Sequence, residues 1–255
     1  MTADLSLERW LNLAESAALL AGDHLRRRQG SWSQMVAGEE HDVKVAADRL
    51  SETLILQALQ GASPFPALSE EAGHVPGQET AGPLWVVDPL DGSLNYNRGI
   101  PPAGVSIALC QGEEPLLGVI FDFTRNELFS GIPGRGATLN RRPIKVSDTA
   151  NYADAVLGTG FPSYADYSDA ALLSFVRQVQ RYKKVRSLGS AALMLAYVAN
   201  GRLDAYHETG IKLWDVAGGI AIVQAAGGTV TVSPGADPTR NLEVIASNGR
   251  LVFTA

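Results

Sequence analysis

The chain has 255 residues, of which 45% are hydrophobic, so it holds enough apolar material for one large domain or two smaller ones. Its formal net charge is −6 at pH 7, which excludes a general electrostatic attraction to nucleic acid or to an anionic membrane. The single cysteine, Cys110, excludes an intrachain disulfide, and its apolar neighbours predict a small core residue.

The N-terminal segment lacks a basic stretch followed by an apolar run, which would mark a secretory signal. No stretch of the sequence approaches the length and apolarity of a membrane span. We therefore expect a soluble, cytoplasmic protein without a membrane partner.

The first third of the chain carries two helical patterns. Apolar residues recur at helical spacing from Leu7 to Leu25, and Gly30 is the predicted stop. Residues 32–42 have no period and predict a loop. A second helix is predicted from Ala46 to about Leu59. Its predicted buried residues are Leu50, Leu54, Ile55 and Ala58.

From Leu84 onward the patterns are those of strands. The apolar run Leu84–Val87 predicts a short buried strand, which Pro89 should end. The runs at 105–110 and 116–121 flank a polar turn and predict a hairpin, and 127–130 predicts a further strand. The first half therefore predicts two helices packed on an antiparallel or mixed sheet.

The second half alternates between strands and helices, which predicts an α/β half. The predicted strands cover residues 156–158, 185–186, 203–206, 229–232 and 244–246. The predicted helices cover residues 170–179, 190–199 and 214–226. A polar stretch at 147–152 sets the predicted boundary, which gives an N-terminal unit of residues 1–147 and a C-terminal unit of residues 148–255.

The sharpest chemical signal is the pair Asp88 and Asp91. Both carboxylates leave the end of a predicted strand, and Gly92 and Ser93 then open a predicted helix. Such a place can hold hard cations with the acids and an anion with the backbone N–H groups. Two partly buried acids repel one another unless a cation or a proton intervenes.

Further acids stand at Asp48, Glu70, Glu71 and Asp215. Any one of them alone is more simply a helix cap or a dipole partner, but the set as a whole favours a metal site. Oxygen ligands without His or Cys favour magnesium over zinc or copper. No Ser/His/Asp or Cys/His nucleophile pattern is evident, so direct attack by water is the simpler expectation.

Residues 88–93, Asp-Pro-Leu-Asp-Gly-Ser, resemble the first signature of the inositol monophosphatase family. Residues 214–219, Trp-Asp-Val-Ala-Gly-Gly, resemble its second signature, Glu70-Glu71 resembles its glutamate pair, and residues 42–48 resemble its N-terminal acidic motif. The matches are in the right order over nearly the whole chain. The resemblance implies a layered αβαβα sandwich of the sugar-phosphatase type, in which an α+β half precedes an α/β half.

The resemblance also implies a phosphatase that uses two or three Mg²⁺ ions. The implied metal ligands are Glu70, Asp88, the backbone carbonyl of Leu90, Asp91 and Asp215. The implied catalytic residues are Asp48, Ser93 and Glu71. Asp48 and Ser93 would form a dyad that orients and deprotonates water. Glu71 would be an acid that does not bind the metal directly.

The remaining implied site residues would hold the substrate. The N–H groups of Gly92 and Ser93 would bind the phosphate. The alcohol side of the pocket would be lined by Gly189, Ser190, Ala191 and Glu208. Glu208 could accept hydrogen bonds from sugar or cyclitol hydroxyls, and the plainer alternative is a surface acid beside a glycine turn.

The expected substrate is a small polyol or sugar phosphate such as inositol 1-phosphate. Alternatives are fructose 1,6-bisphosphate, 3'(2'),5'-bisphosphate nucleotides and, less favoured, histidinol phosphate. A non-catalytic binding protein is a further alternative, because fold alone does not fix function, but the complete set of acids argues against it. The resemblance also implies a homodimer and sensitivity to lithium. We expect no nucleic-acid partner.

Overall fold

Two long helices form the outer layer of the N-terminal half. The computed structural model describes residues 7–32, 35–39, 42–79, 82–161, 167–234 and 241–251. Helix α1 spans Leu7–Trp32 and α2 spans Ala46–Ala62. The predicted stop at Gly30 is wrong, because the chain resumes helical geometry after an irregular turn at Arg28.

The loop predicted at residues 32–42 is also wrong over its described part. Strand β1, Met35–Glu39, pairs antiparallel with β2, Asp42–Val45. Backbone hydrogen bonds between two short strands need no apolar alternation, so this hairpin left no periodic signal in the sequence.

Helix α2 packs with several polar side chains on its inner face. The predicted burial of Leu50 is wrong, because that side chain is 44% exposed. Ile55 is buried as predicted, whereas Leu54 and Ala58 are half-buried. The inner face consists of Ala47, Asp48, Ser51, Glu52, Ile55 and Leu59. Buried polar groups need hydrogen-bond partners, so this face must contact polar groups elsewhere in the fold.

The first sheet is mixed and has eight strands in the described part of the chain. In spatial order they are β10, β9, β8, β7, β6, β5, β3 and β4, with only β3 and β5 parallel. Their bounds are β3 Ala67–Ser69, β4 Gly73–Val75, β5 Leu84–Asp91, β6 Gly104–Gln111, β7 Glu114–Asp122, β8 Glu127–Ile132, β9 Gly136–Leu139 and β10 Arg142–Ile144. A short helix, α3, follows β5 over Ser93–Arg98. Cys110 is fully buried in β6, as predicted.

The second sheet has five described strands in the order β12, β11, β13, β15 and β14. Their bounds are β11 Val156–Gly158, β12 Lys184–Arg186, β13 Ala205–Ile211, β14 Thr229–Pro234 and β15 Leu242–Ser247. The helices are α4 Asp169–Val179, α5 Ala191–Ala199 and α6 Leu213–Ala225, close to their predicted bounds. The strand predicted at 203–206 begins two residues later, because Leu203 still donates its N–H to the Tyr197 carbonyl.

Helices α5 and α6 form a layer that the two sheets share. Helix α6 packs on the first sheet opposite α1 and also contacts β14 and β15. Adjacent residues of β13 face opposite sides: Tyr206 packs in the core with α5 and α6, and Ala205 packs near Val179 of α4. The predicted αβαβα sandwich is confirmed. Because α5 and α6 contact both sheets, the division near residue 147 stays a prediction.

Among the described helices, none combines the length and the apolar character that a membrane span requires.

Helix α6 approaches the first sheet so closely that two glycines meet. A Cβ atom added to Gly118 in β7 would lie 2.1 Å from the carbonyl oxygen of Gly218 in α6. Because the opposing atom is backbone, no side-chain rotation could relieve this clash.

Replacing Gly118 should therefore loosen the packing of α6. We expect Gly118→Ala to lower the free energy of unfolding by about 1–3 kcal/mol or more, measured by urea denaturation. Gly61→Ala is the control, because a Cβ atom at this position of α2 would meet nothing within 4 Å. That substitution should be neutral or stabilise by up to about 1 kcal/mol. Equal losses in both variants would contradict the packing argument.

Candidate functional site

Asp88 and Asp91 lie at the end of β5, where the chain leads into α3. The prediction that Pro89 ends the strand is wrong, since β5 continues to Asp91. Pairing with β6 shifts between Asp88 and Asp91, so β5 has one extra residue there. Residues three apart in a regular strand face opposite sides. The bulge allows both buried carboxylates to face the same site, and Pro89 lies where its missing N–H is not needed.

The turn into α3 requires glycine at position 92. Gly92 adopts φ 86° and ψ 38°, the left-handed conformation that side chains other than glycine seldom adopt. A Cβ atom here would lie 3.1 Å from the Pro102 carbonyl oxygen and 3.2 Å from that of Gly189. Gly92 therefore allows three backbone segments to meet at the start of α3.

Ser93 and Asp48 are brought together from α3 and α2. Ser93 Oγ lies 3.1 Å from Asp48 Oδ1 and 3.0 Å from the Leu90 carbonyl oxygen. Asp48 is only 2% exposed. The structure thus places the two residues of the predicted dyad within hydrogen-bond distance, whereas their catalytic roles stay predictions.

Glu70 and Glu71 occupy the turn between β3 and β4. Strand β3 runs parallel to β5, and the Glu70 N–H donates to the Val87 carbonyl beside Asp88 at 3.2 Å. Sheet pairing thereby brings this turn to the end of β5. The Glu71 carboxylate lies 3.8 Å from Arg49 Nε.

Asp215 reaches the site from the first turn of α6. Its Oδ2 accepts a hydrogen bond of 2.9 Å from the Lys212 N–H at the helix start. An acid in the first turn of a helix is stabilised by the free N–H groups there. The capping alternative and the proposed ligand role are compatible, because a carboxylate has two oxygens and this bond uses one of them.

Asp91 is held by the N-terminus of α5. Its Oδ2 accepts hydrogen bonds from Ser190 Oγ at 2.5 Å and from the Ala192 N–H at 2.7 Å. Ser190 is 2% exposed and also caps α5 by accepting from the Leu193 N–H. Of the residues predicted to line the alcohol side, Ser190 therefore directs its hydroxyl at Asp91, and Ala191 is buried.

Glu208 is buried in β13, where the charge of Asp91 acts on it. Its Oε2 accepts a hydrogen bond of 2.9 Å from the Tyr206 hydroxyl, and the backbone of Gly160 lies against its carboxylate. Burial and, to a smaller extent, the charge of Asp91 together raise the pKa of Glu208 to about 7, against the opposing effect of the Tyr206 hydrogen bond. The plainer alternative of a surface acid is wrong, because Glu208 is only 7% exposed.

The acids act on one another electrostatically. Burial raises the pKa of Asp88 well above its usual value, and the charges of Glu70, Asp91 and Asp215 raise it further. The pKa of Asp91 is raised to about 6 by burial, against the opposing effect of its hydrogen bonds from α5. The pKa of Asp215 is raised to about 8 by burial and then by Asp91. This site therefore favours protons or cations.

The chemistry of these donors fits a divalent cation of the hard class. The predicted ligands, several carboxylates and the Leu90 carbonyl, are all oxygen donors, and the acids carry more negative charge than burial tolerates. In the described part of the chain, no three His, Cys, Asp or Glu side chains are yet arranged to enclose one ion. The fit is thus one of charge and ligand type.

Sequence reasoning missed the residues that join the segments of the site. Asn95 Nδ2 donates to the carbonyls of Pro102 at 2.9 Å and of Leu188 at 2.7 Å, which ties α3 to the loop before α5. Ser51 and Glu52 on α2 were missed as well. Their position three and four residues after Asp48 was the available signal, because such spacing places them on one helix face.

Comparison with known proteins places the chain in a family. The model of the inositol monophosphatase family matches residues 6–253. A Nus factor SuhB from Xylella fastidiosa is 40% identical over 233 residues, covering 90% of this chain and 84% of that protein. An inositol-1-monophosphatase from Synechocystis is 40% identical over 228 residues, covering 88% and 79%. A solved inositol monophosphatase from Anabaena superposes with a TM-score of 0.81 at 37% identity, covering 96% and 92%.

An α/β sandwich with a cluster of buried acids at a strand-to-helix turn thus has close counterparts among phosphatases. The chain belongs to the inositol monophosphatase family, and it is a phosphatase. Enzymes of this family are generally metal-dependent. The resemblance seen in residues 88–93 and 214–219 is confirmed.

The raised pKa of Asp215 predicts how stability depends on pH when no metal is bound. Its carboxyl group releases its proton near pH 4 in the unfolded chain and near pH 8 in the folded protein. Between these values the folded state binds the extra proton, so the free energy of unfolding falls as pH rises. With EDTA present to remove metal, the free energy of unfolding of Asp215→Asn should not fall in this way as pH rises. At pH 8 this variant should therefore be more stable than the wild type.

Urea denaturation between pH 5 and pH 8 measures the effect, which should reach about 4 kcal/mol relative to the wild type. Asp148→Asn is the control, because Lys145 and Arg250 hold the pKa of that exposed carboxyl below its usual value. A difference between wild type and Asp215→Asn that stays constant with pH would contradict the assignment.

Proposed function

We propose that the protein hydrolyses a small phosphomonoester whose leaving group is a polyol such as inositol, and that Mg²⁺ is its metal. The observation that supports this is the electrostatic effect of Asp91 and Asp215 on the buried Asp88, together with the hydrogen-bonded pair formed by Ser93 and Asp48. Buried acids that raise one another's pKa values are typical of metal and catalytic sites.

The metal would be held by Glu70, Asp88, the Leu90 carbonyl, Asp91 and Asp215. When bound, such ions lower the pKa of water, polarise the phosphoryl group and offset charge on the leaving oxygen. The N–H groups of Gly92 and Ser93 would bind the phosphate, because no side chain caps the start of α3. Glu71 would act on these ligands without binding the metal itself.

Ser93 would orient the attacking water. Its hydroxyl has one proton and two acceptors at similar distances, Asp48 Oδ1 and the Leu90 carbonyl oxygen. When the proton is donated to Asp48, the Ser93 oxygen can accept a hydrogen bond from water. The buried Asp48 carboxylate would then receive the proton that the water loses.

The charge of the neighbouring pocket favours a polyol over a second phosphate. A pocket of about 270 Å³ extends from Glu208 between β11, β13 and α4. Its carboxyl groups are those of Glu208 and Glu243, of which Glu243 lies 2.8 Å from His207 Nε2, and no Lys or Arg is among the described residues that line it. Hydroxyl groups suit such a lining, whereas the second phosphate of fructose 1,6-bisphosphate or of a nucleotide bisphosphate would find no Lys or Arg among these residues.

Phosphate release with and without Mg²⁺ tests the proposal. We expect Mg²⁺-dependent turnover that favours inositol 1-phosphate over fructose 1,6-bisphosphate and adenosine 3',5'-bisphosphate. Asp91→Asn should lower turnover by about 100-fold or more while the urea midpoint stays near that of the wild type. Asp169→Asn, at the start of α4, is the matched control. Turnover without Mg²⁺, or full activity in Asp91→Asn, would refute the metal assignment.

Glu208→Ala should change substrate choice more than chemistry. Loss of a buried acceptor for substrate hydroxyls should raise KM for inositol 1-phosphate about 10-fold and leave kcat for p-nitrophenyl phosphate nearly unchanged. The ratio of kcat/KM values for polyol and bisphosphate substrates measures this effect. A uniform loss for all phosphomonoesters would contradict the placement of Glu208 on the alcohol side.

Lithium inhibition and a homodimer, which the resemblance implies, stay predictions. The cytoplasmic location expected from the sequence also stays a prediction. The expected absence of a nucleic-acid partner also stays a prediction, because relatives at 40% identity include both an inositol-1-monophosphatase and a Nus factor SuhB.

A further inference from the structure

One face of helix α2 contacts three separate segments of the candidate site. Asp48, Ser51 and Glu52 share this face, because residues three and four apart on a helix are neighbours. Asp48 contacts Ser93 at the start of α3. Ser51 Oγ donates a hydrogen bond of 2.8 Å to the Pro89 carbonyl in the bulge of β5. Glu52 contacts the turn after β3.

The contacts of Glu52 all converge on one oxygen. Its Oε1 accepts hydrogen bonds from Ser69 Oγ, from the Glu71 N–H at 3.2 Å and from the Ala72 N–H at 3.0 Å. Glu52 is only 7% exposed. A buried carboxylate is tolerated where several donors compensate for lost hydration, and bonds to a charged acceptor are stronger than those to a neutral one.

These donors lie on the turn that carries Glu70. Ser69 ends β3, and Glu71 and Ala72 follow Glu70 directly, so Glu52 is bonded to the Ser69 side chain before that residue and to backbone N–H groups after it. On its other side, the Glu70 N–H is bonded to β5 beside Asp88. The turn is therefore fixed between α2 and β5, and the direction of the Glu70 side chain depends on both contacts.

We propose that Glu52 is a positioning residue, whose carboxylate fixes the turn so that Glu70 faces Asp88 and Asp91. Its effect on turnover rests on the proposed function, whereas its effect on the turn does not. A glutamine at position 52 keeps one acceptor oxygen but loses the charge, and it adds two N–H donors to a place filled with donors. The turn should therefore loosen in Glu52→Gln.

Asp204 provides a matched control for removal of a buried carboxylate. It is also 7% exposed, and it accepts hydrogen bonds from Ser147 Oγ at 2.6 Å and from the Val156 N–H at 2.7 Å. Its donors are again one serine hydroxyl and one backbone N–H, but they belong to Ser147, after β10, and to Val156 in β11, and not to the turn that carries Glu70. Asp204→Asn should lower stability without affecting the turn.

Three measurements on the whole chain test the proposal. In Glu52→Gln, hydrogen exchange at the amides of Glu71 and Ala72 should be at least about 10-fold faster than in the wild type. The dissociation constant for Mg²⁺, measured by calorimetry, and the Mg²⁺ concentration for half-maximal turnover should rise about 10-fold or more. Asp204→Asn should leave all three values unchanged. Ser69→Ala, a milder variant, should shift them in the same direction by a smaller factor.

The proposal would be overturned if Glu52→Gln had the same amide exchange rates and the same Mg²⁺ affinity as the wild type. It would also be overturned if Asp204→Asn changed these values as much as Glu52→Gln does. If the wild type shows no Mg²⁺-dependent turnover, the proposed function fails. Exchange at residues 69–73 then still decides whether Glu52 fixes the turn.

Discussion

Burial of several carboxylates at one place is the constraint around which this site is arranged. Burial is the largest cause of the raised pKa values of Asp88, Asp91 and Asp215, and the charges of neighbouring acids raise those of Asp88 and Asp215 further. Each of these acids has a backbone donor: the Leu90 N–H for Asp88, the start of α5 for Asp91 and the start of α6 for Asp215. The start of α5 supplies its donor without a positive side chain, whereas at the start of α6 the charge of Lys212 also lowers the pKa of Asp215.

This arrangement fixes the acids before any ligand arrives. Asp91 is bonded to α5 through Ser190, and Asp215 is fixed to a helix whose backbone touches the first sheet at Gly118. Rigid supporting elements hold reactive groups more accurately than loops do. The surrounding packing and hydrogen bonds therefore keep these acids close together, although their negative charges repel one another.

The sequence was most informative where chemistry restricts residue type. The acids at 88, 91 and 215 could be selected because they stand where a strand meets a helix or where a helix begins, and the fold class followed from the alternation of elements. The bulge at Pro89 was not predictable, because proline reads locally as the end of a strand. Glu52 was missed for a different reason: a glutamate in a helix is usually solvated, and only the distant turn after β3 shows that this one is buried.

The layer formed by α5 and α6 has a consequence for how the protein is made. The last strand of the first sheet ends at Ile144, whereas the helix that covers the second face of that sheet ends at Ala225. At a synthesis rate of about 5–20 residues per second, the ribosome needs roughly 4–16 seconds to make the intervening segment. During that interval the nascent chain displays an uncovered apolar sheet face. The first sheet therefore cannot have both of its faces covered until the C-terminal half has been made.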